Sequence, residues 1–256
     1  MSARDQISST IRAARTRGRP ALVAYLTAGF PTKEKFAASL RAASAVADVI
    51  EVGVPFSDPM ADGPTVQRSS RTALEQGVSL KWILEFLAAE QRKTDVPVLL
   101  MTYLNPLLAF GLKKLAKASA AAQVSGFIVP DLPLEECKDL RDALDSEGLA
   151  LVQLVSPVTP TERLAKLCEA SQGFVYAVTM TGTTGKSVAT PAEVLEYFDR
   201  VRSVSPLPVC AGFGIRDREQ VKLLDHHVDG VVVGSALVEA IEKGEDVERF
   251  LRSLLA

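Results

Sequence analysis

The chain has 256 residues, 47% of them hydrophobic and 23% charged, with a formal net charge of −2 at pH 7. These values are ordinary for a globular protein that buries a large apolar core. The near-balanced charge argues against a general affinity for nucleic acid or anionic membranes. Binding of one phosphate group stays possible, because it needs only a few local donors. No apolar stretch is long enough to span a membrane, and the first residues lack the apolar core of a secretion signal.

Short apolar runs alternate with longer amphipathic patterns along the whole chain. The runs are nearly continuous in Val, Ile and Leu, which is typical of parallel strands covered on both faces. The predicted strands are Leu22–Thr27, Val49–Val54, Val98–Met101, Gly126–Val129, Leu149–Val155, Phe174–Thr179, Leu207–Ala211 and Gly230–Val233. The predicted helices are Arg4–Arg15, Lys33–Val46, Thr65–Gln76, Leu80–Lys93, Leu112–Ala122, Glu135–Ser146, Thr161–Ala170, Pro191–Val201, Arg216–Leu224 and Ala236–Glu242. This alternation predicts either a closed barrel or an open doubly wound sheet, and periodicity does not choose between them.

Glycine-bearing turns follow the last three predicted strands. They are Thr181–Gly185, Gly212–Gly214 and the pair Gly234 and Ser235, the last of which leads into an apolar helix. Glycine lets the backbone approach an anion, and a helix N-terminus offers unpaired N–H groups to it. Any one of these glycines alone is more simply explained as a chain turn. All three together match the phosphate site of barrel enzymes, which lies between the loops after strands seven and eight and a short extra helix.

The phosphate pattern therefore favours the barrel over the open sheet. We expect an α/β fold, a single (β/α)8 TIM barrel that occupies residues 1–256 as one domain. An extra N-terminal helix, Arg4–Arg15, is expected to close the barrel floor, and the short extra helix Ala236–Glu242 to lie at the phosphate site.

Glu51 is the one acid inside the second predicted strand. In a barrel its side chain points either into the interior or toward the helix layer, and both are apolar. Burial without a partner raises the pKa of a carboxyl group, so that it can hold and give a proton near neutral pH. A structural Glu paired with a hydroxyl or an Arg explains the pattern equally well, and the residues alone leave both open.

The loop Pro55–Pro64 leaves the carboxyl end of this strand, where barrel active sites lie. Asp62 in this loop is a second candidate for contact with substrate. Asp58 precedes a proline and is equally well explained as a turn residue. Asp131 follows the fourth predicted strand, and for it we favour a loop-anchoring role.

Other chemistries find little support in the sequence. The adjacent His226 and His227 are predicted to lie in a solvated turn at the opposite end of the barrel from the site. No predicted strand interior carries a lysine for Schiff-base chemistry. The cysteines, Cys137, Cys168 and Cys210, lack metal-ligand spacing, and reduced thiols in a cytoplasmic protein are the simplest interpretation.

The run Glu51–Pro59, continued by Ala61–Pro64, closely resembles the signature of tryptophan synthase α subunits. The similarity extends over nearly the whole chain. Other segments that share it are Tyr25–Gly29, Tyr103–Pro106, Asp131–Pro133, Ala211–Ile215 and Val233–Ala236. The long acid-bearing motif is highly specific, whereas the glycine turns alone are not.

This resemblance implies a lyase of tryptophan biosynthesis that splits indole-3-glycerol phosphate into indole and glyceraldehyde 3-phosphate. In that family Glu51 corresponds to the general acid/base that protonates the indole C3. Asp62 corresponds to the acid that binds the indole N–H. The resemblance gives phosphate binding to Gly185, Gly214, Gly234 and Ser235, and the lining of the substrate pocket to Tyr25, Tyr176 and Phe213. It also implies that this chain carries no cofactor or metal and works in an α2β2 heterotetramer, passing indole to a β subunit that holds pyridoxal phosphate.

The sequence also allows two other functions. Another phosphate-binding barrel enzyme, such as a sugar-phosphate isomerase or epimerase, would share the glycine turns but should lack the Phe56–Pro64 loop. A non-catalytic subunit that only activates a partner would be marked by the loss of Glu51 or Asp62, and both acids are present.

Overall fold

A computed structural model describes residues 2–90, 96–179, 191–212 and 214–255. Its eight strands form a closed barrel in chain order, and every neighbouring pair is parallel. The strands are β1 (Ala21–Thr27), β2 (Val49–Gly53), β3 (Val98–Met101), β4 (Val124–Ile128), β5 (Ala150–Val155), β6 (Val175–Val178), β7 (Val209–Gly212) and β8 (Gly230–Val233). The pairing of β1 with β8, with Ala21 opposite Gly230, excludes the open sheet and confirms the predicted barrel.

Helices cover the outer side of this barrel and one of its ends. They are α1 (Ala3–Thr16), α2 (Lys33–Ser44), α3 (Pro64–Glu75), α4 (Leu80–Glu90), α5 (Leu104–Phe110), α6 (Leu112–Ala121), α7 (Lys138–Asp145), α8 (Thr161–Ala170), α9 (Pro191–Val204), α10 (Arg218–Leu224), α11 (Ser235–Glu242) and α12 (Val247–Leu255). The start of the predicted helix Glu135–Ser146 is instead a 3-10 turn at Leu134–Glu136. The sequence analysis missed α5 and α12. No helix of the described ranges is long and apolar enough to cross a membrane.

The core has two layers, because successive strand residues point to opposite faces. One large cluster lies between the strands and the outer helices and includes Ile50 and Val52. A smaller cluster fills the barrel interior and includes Val49, Leu99 and Phe174. Both faces of each strand are therefore buried, which explains the nearly continuous apolar runs in the sequence.

Helix α1 closes the amino end of the barrel, which we call the floor. Its apolar face places Ile7 and Ile11 in the interior cluster, where both are fully buried. The Ser8 hydroxyl donates to the carbonyl of Gly173, which ties the helix to the segment before β6. The opposite end, where the strands finish, is called the rim. The prediction of a helix at the floor is confirmed.

The connections that follow the strands at the rim differ in length. Ten residues, 54–63, separate β2 from α3, whereas only Gly234 separates β8 from α11. The histidine pair lies far from this end, in the turn between α10 and β8, as predicted. The Nδ1 of His227 lies 2.8 Å from Oδ1 of Asp199. Glu51 on β2, the loop that carries Asp62, and the described glycines Gly214 and Gly234 lie at the rim.

Candidate active site

Glu51 points into the barrel interior. Its neighbours Ile50 and Val52 belong to the outer layer and Val49 to the inner one, so alternation directs Glu51 inward. The side chain is only 1% exposed, and among the described residues neither carboxyl oxygen has a hydrogen-bond partner. Burial, helped by the negative charge of Asp62, raises the pKa of Glu51 to about 8. At neutral pH this carboxyl group therefore holds its proton.

Two buried phenols lie around Glu51. Tyr25 on β1 is its register partner across the parallel pair, and Tyr176 stands on β6. Burial raises the pKa of both tyrosines, and the charge of Glu51 acts in the same direction on each. Both hydroxyls therefore stay protonated, and the site presents neutral aromatic walls to the acid.

The ring of Tyr25 lies directly over Gly53 at the end of β2. A Cβ at Gly53 would come within 2.1 Å of the Tyr25 hydroxyl oxygen, so a larger residue there would displace the ring. The Thr27 hydroxyl lies 3.4 Å from that oxygen and 2.7 Å from the hydroxyl of Ser69 on α3. This chain of hydroxyls connects the pocket wall to the helix that follows the Asp62 loop.

Asp62 is held by Tyr103, which lies two residues after the end of β3 and is the N-cap of α5. The Tyr103 hydroxyl donates to the Asp62 carboxylate and accepts a bond of 2.9 Å from the N–H of Ala61. Its ring packs against Phe56, with centroids 5.2 Å apart. Burial raises the pKa of Asp62, and the bond from Tyr103 partly offsets that rise. The loop is thus fixed at three points around its acid.

The glycine turns after β7 and β8 form a cradle at the rim, defined here as Gly212, Gly214, Gly234 and Ser235. Gly214 has φ +66°, a conformation that favours glycine. Gly234 is the N-cap of α11 and Ser235 its first residue, so the unpaired first-turn N–H groups of the helix point to this edge. The cradle adjoins the phenols, since the Tyr176 ring lies against Gly212 and a Cβ at Gly234 would lie 3.8 Å from Cβ of Tyr25.

Two predicted site residues, Gly185 and Phe213, lie outside the described residues. The structure brings the other seven to the rim end of the barrel. Asp131 has the anchoring role that the sequence favoured, because its carboxylate accepts the N–H of Leu104 at 2.9 Å, at the start of α5. Among the described residues there is no cluster of three or more His, Cys, Asp or Glu side chains that could hold a metal ion.

An apolar lining that the sequence analysis did not find surrounds the mouth of the interior. Met101, Leu154 and Val178 are only partly buried and pack on the interior cluster. Leu154 and Val178 also line a cavity of about 350 Å³ that opens beside the loops after β4 and β5. Glu51 is not one of the described residues that line this cavity. Met101 and Val178 are the last residues of their strands and Leu154 is the last but one of β5, and that position was the signal by which they could have been found.

Comparison with known proteins gives a consistent result. A family model described as "Tryptophan synthase alpha chain" matches residues 11–255. The tryptophan synthase alpha chain of Desulfovibrio desulfuricans is 46% identical over 248 residues, which cover 96% of this chain and 97% of that protein. A structure of Mycobacterium tuberculosis tryptophan synthase matches with a TM-score of 0.88 and 38% identity, covering 97% of this chain and 96% of the other. The tryptophan synthase complex of Pyrococcus furiosus matches with a TM-score of 0.83 and 34% identity, covering 93% and 98%.

Proposed function

The chain belongs to the tryptophan synthase alpha chain family, and on that premise we propose that Glu51 and Asp62 catalyse the cleavage of indole-3-glycerol phosphate to indole and glyceraldehyde 3-phosphate. We take the chain to work as one barrel domain. The observation that carries the proposal is the buried Glu51 carboxyl group, which holds a proton at neutral pH and has no partner among the described residues. Such a group is free to act on a bound substrate. No observation favours a sugar-phosphate isomerase or a non-catalytic subunit.

Glu51 serves as the proton donor and acceptor of the reaction. It delivers its proton to C3 of the indole ring, and the electron pair of the breaking carbon–carbon bond returns to the ring. The hydroxyl on the departing carbon becomes the aldehyde, and its proton returns to the Glu51 carboxylate. The residue therefore ends as it began, and no other acid is consumed.

Asp62 binds the indole N–H and stabilises the positive charge that develops on the ring after C3 is protonated. A hydrogen bond from a cationic ring to a carboxylate stabilises the positive charge more strongly in a site that excludes water. We expect Asp62→Asn to lower kcat/KM about 100-fold while inhibition by inorganic phosphate is kept. Equal loss of phosphate binding and of rate in this variant would contradict the division of roles.

The phosphate of the substrate binds the backbone of Gly185, Gly214, Gly234 and Ser235. The rest of the molecule lies between Tyr25, Tyr176 and Phe213. The position of Gly234 and Ser235 at the start of α11 supports this assignment, because the helix N-terminus attracts an anion. The partly buried Met101, Leu154 and Val178 supply apolar contact for the indole ring.

A tryptophan synthase β subunit, which holds the pyridoxal phosphate, is the proposed partner in an α2β2 assembly, and this chain carries no cofactor of its own. One matched structure is described as a tryptophan synthase complex. Large apolar side chains are exposed in three segments that follow β2, β3 and β5, with Met60 80%, Leu108 54% and Val158 71% exposed. Exposed apolar groups on one face are typical of a partner surface, and we place the β subunit there.

The direct test is release of indole from indole-3-glycerol phosphate by the purified chain, alone and with a β subunit. We expect indole in both cases, with a faster rate in the presence of the partner. Leu108→Asp should weaken that stimulation, whereas Leu223→Asp, at an exposed position on α10, should leave it unchanged. Absence of indole under both conditions would exclude the proposed function.

A further inference from the structure

Glu239 on α11 joins two elements of the rim. Its carboxylate accepts two hydrogen bonds from the Arg216 guanidinium, of 2.8 and 3.2 Å, and one of 3.1 Å from the Thr65 hydroxyl. The Glu239 side chain is 25% exposed. The Arg216 guanidinium holds the pKa of Glu239 below its ordinary value, so the carboxylate is ionised at neutral pH.

The partners of Glu239 come from the two halves of the proposed site. Arg216 stands two residues after Gly214 of the cradle, and Thr65 stands three residues after Asp62, in the first turn of α3. Glu239 itself lies four residues after Ser235, one turn into α11. One carboxylate therefore connects the loop after β7, the helix that carries the cradle and the helix that follows the Asp62 loop.

A second link between the same two helices provides a natural control. Arg68 donates to Glu242 at 3.0 Å, one turn further along both α3 and α11. Both side chains are well exposed, with 55% of Arg68 and 44% of Glu242 accessible. This link has no contact with the loop after β7 among the interactions described. Exposed ion pairs of this kind contribute little to stability.

We propose that Glu239 is a positioning residue that fixes the cradle relative to Asp62, so that the phosphate and the indole ring of one substrate are held in register. The inference rests on the proposed function. A substrate bound at two ends is sensitive to the distance between them, because small misplacement of reacting groups lowers the rate strongly. Glu239 touches no substrate, and its effect passes through Arg216 and Thr65.

The experiment compares Glu239→Ala and Glu239→Gln with Glu242→Ala. We expect Glu239→Ala to lower kcat/KM for indole-3-glycerol phosphate about 10-fold, and Glu242→Ala to change it less than about 2-fold. Glu239→Gln keeps an oxygen for Thr65 and loses the charge that pairs with Arg216, so its rate should lie between those of Glu239→Ala and wild type. The thermal midpoints of Glu239→Ala and Glu242→Ala should be similar.

Inhibition by inorganic phosphate, which binds only to the cradle, distinguishes a misplaced cradle from a cradle that no longer binds phosphate. Its inhibition constant should change less than about 3-fold in Glu239→Ala, since the backbone donors remain and one nearby negative charge is removed. A weakening of phosphate inhibition that equals the loss of kcat/KM overturns the proposal, as does a rate for Glu239→Ala equal to that of Glu242→Ala. A wild-type chain that releases no indole refutes the proposed function instead, so the two failures are distinguishable.

Discussion

Asp48 and Glu51 are buried carboxyl groups three residues apart, one just before β2 and one inside it, with 6% and 1% of their surface exposed. At the floor, Asp48 accepts hydrogen bonds from Arg17 and Arg19 and from the backbone N–H of Leu22, at 2.6 to 3.0 Å. At the rim, Glu51 has no such partner among the described residues. Burial is thus common to both acids, and pairing is what distinguishes Asp48 from the proposed catalytic acid Glu51. A carboxyl group without a partner keeps its hydrogen-bonding capacity for a ligand.

Removal of the Glu51 carboxyl group gives the largest expected effect. Glu51→Gln keeps the shape of the side chain and loses the transferable proton, so kcat should fall about 1000-fold. The variant should unfold at the same temperature as wild type or higher, because no folded-state charge interaction is lost. Measurement of indole release beside a thermal melt checks both points, and activity within a few-fold of wild type would refute the role given to Glu51.

The pH dependence of stability sharpens the same comparison. The unfolded chain releases the Glu51 proton near the ordinary value of 4.5, whereas the folded protein holds it up to about pH 8. The folded state binds more protons in that window, so this contribution to stability is complete below 4.5 and is lost as the pH rises to 8. We expect wild type to lose on the order of a few kcal/mol across the window relative to Glu51→Gln.

Denaturant unfolding of the two proteins at several pH values measures this difference. Subtraction removes the contribution of every other titrating group, since the two chains differ only at Glu51. A constant difference between pH 4.5 and 8 would mean that Glu51 ionises in the folded protein as it does in water. The same titration should lower kcat/KM above pH 8, because kcat/KM depends on the ionisation of the free protein and the proton donor is lost there.

Substitution of Asp48 should have the opposite effect, because it should lower stability and not activity. Asp48→Asn leaves two arginines at the floor without their buried partner, and we expect a loss of about 3 kcal/mol in the free energy of unfolding. Activity per folded molecule should stay within a few-fold of wild type. Glu219→Gln breaks the exposed pair with Lys222 and is the control, with a change below about 0.5 kcal/mol. If Asp48→Asn is as stable as wild type, the pairing of Asp48 with the arginines does not contribute to the free energy of unfolding.

The sequence predicted all eight strands to within a few residues, and it did so because the strands are buried on both faces. It missed α5, a helix of seven residues in which Asn105 and Pro106 are typical of a turn. It also missed α12, although Val247, Leu251 and Leu254 recur on one helical face. For α5 the turn-forming residues conceal the helix, whereas for α12 the helical spacing of apolar residues was present in the sequence and was overlooked.

The candidate site, like the fold, could be predicted from the sequence only in part. Glu51 and Asp62 were found as candidates because an acid in an apolar strand and an acid in a Pro- and Gly-rich loop are unusual in themselves. The inward direction of Glu51 was not predictable from the residues, since both sides of the strand are apolar. The pairing of Asp48 with Arg17 and Arg19 joins residues about 30 positions apart, and such contacts leave no periodic trace in the sequence.

The contact between Tyr103 and Asp62 is of the same long-range kind, and it gives the smallest predicted effect. Tyr103→Phe keeps the ring against Phe56 and removes the hydroxyl that binds Asp62 and the N–H of Ala61. Asp62 then remains in place but is less well oriented, so we expect kcat/KM to fall about 5-fold.

Tyr197→Phe is the matched control, because that buried hydroxyl donates to the carbonyl of Val155 at 2.8 Å, away from Asp62. Tyr197→Phe should lose about 1 kcal/mol of stability for its one hydrogen bond and Tyr103→Phe about 2 kcal/mol for its two, but only Tyr103→Phe should lose rate. In an Asp62→Asn background the rate effect of Tyr103→Phe should shrink, since the acid it orients no longer carries charge. If the two effects simply multiply, Tyr103 does not act through Asp62. Its hydrogen bond would then orient Asp62 no better than Glu51 is oriented, which has no partner among the described residues.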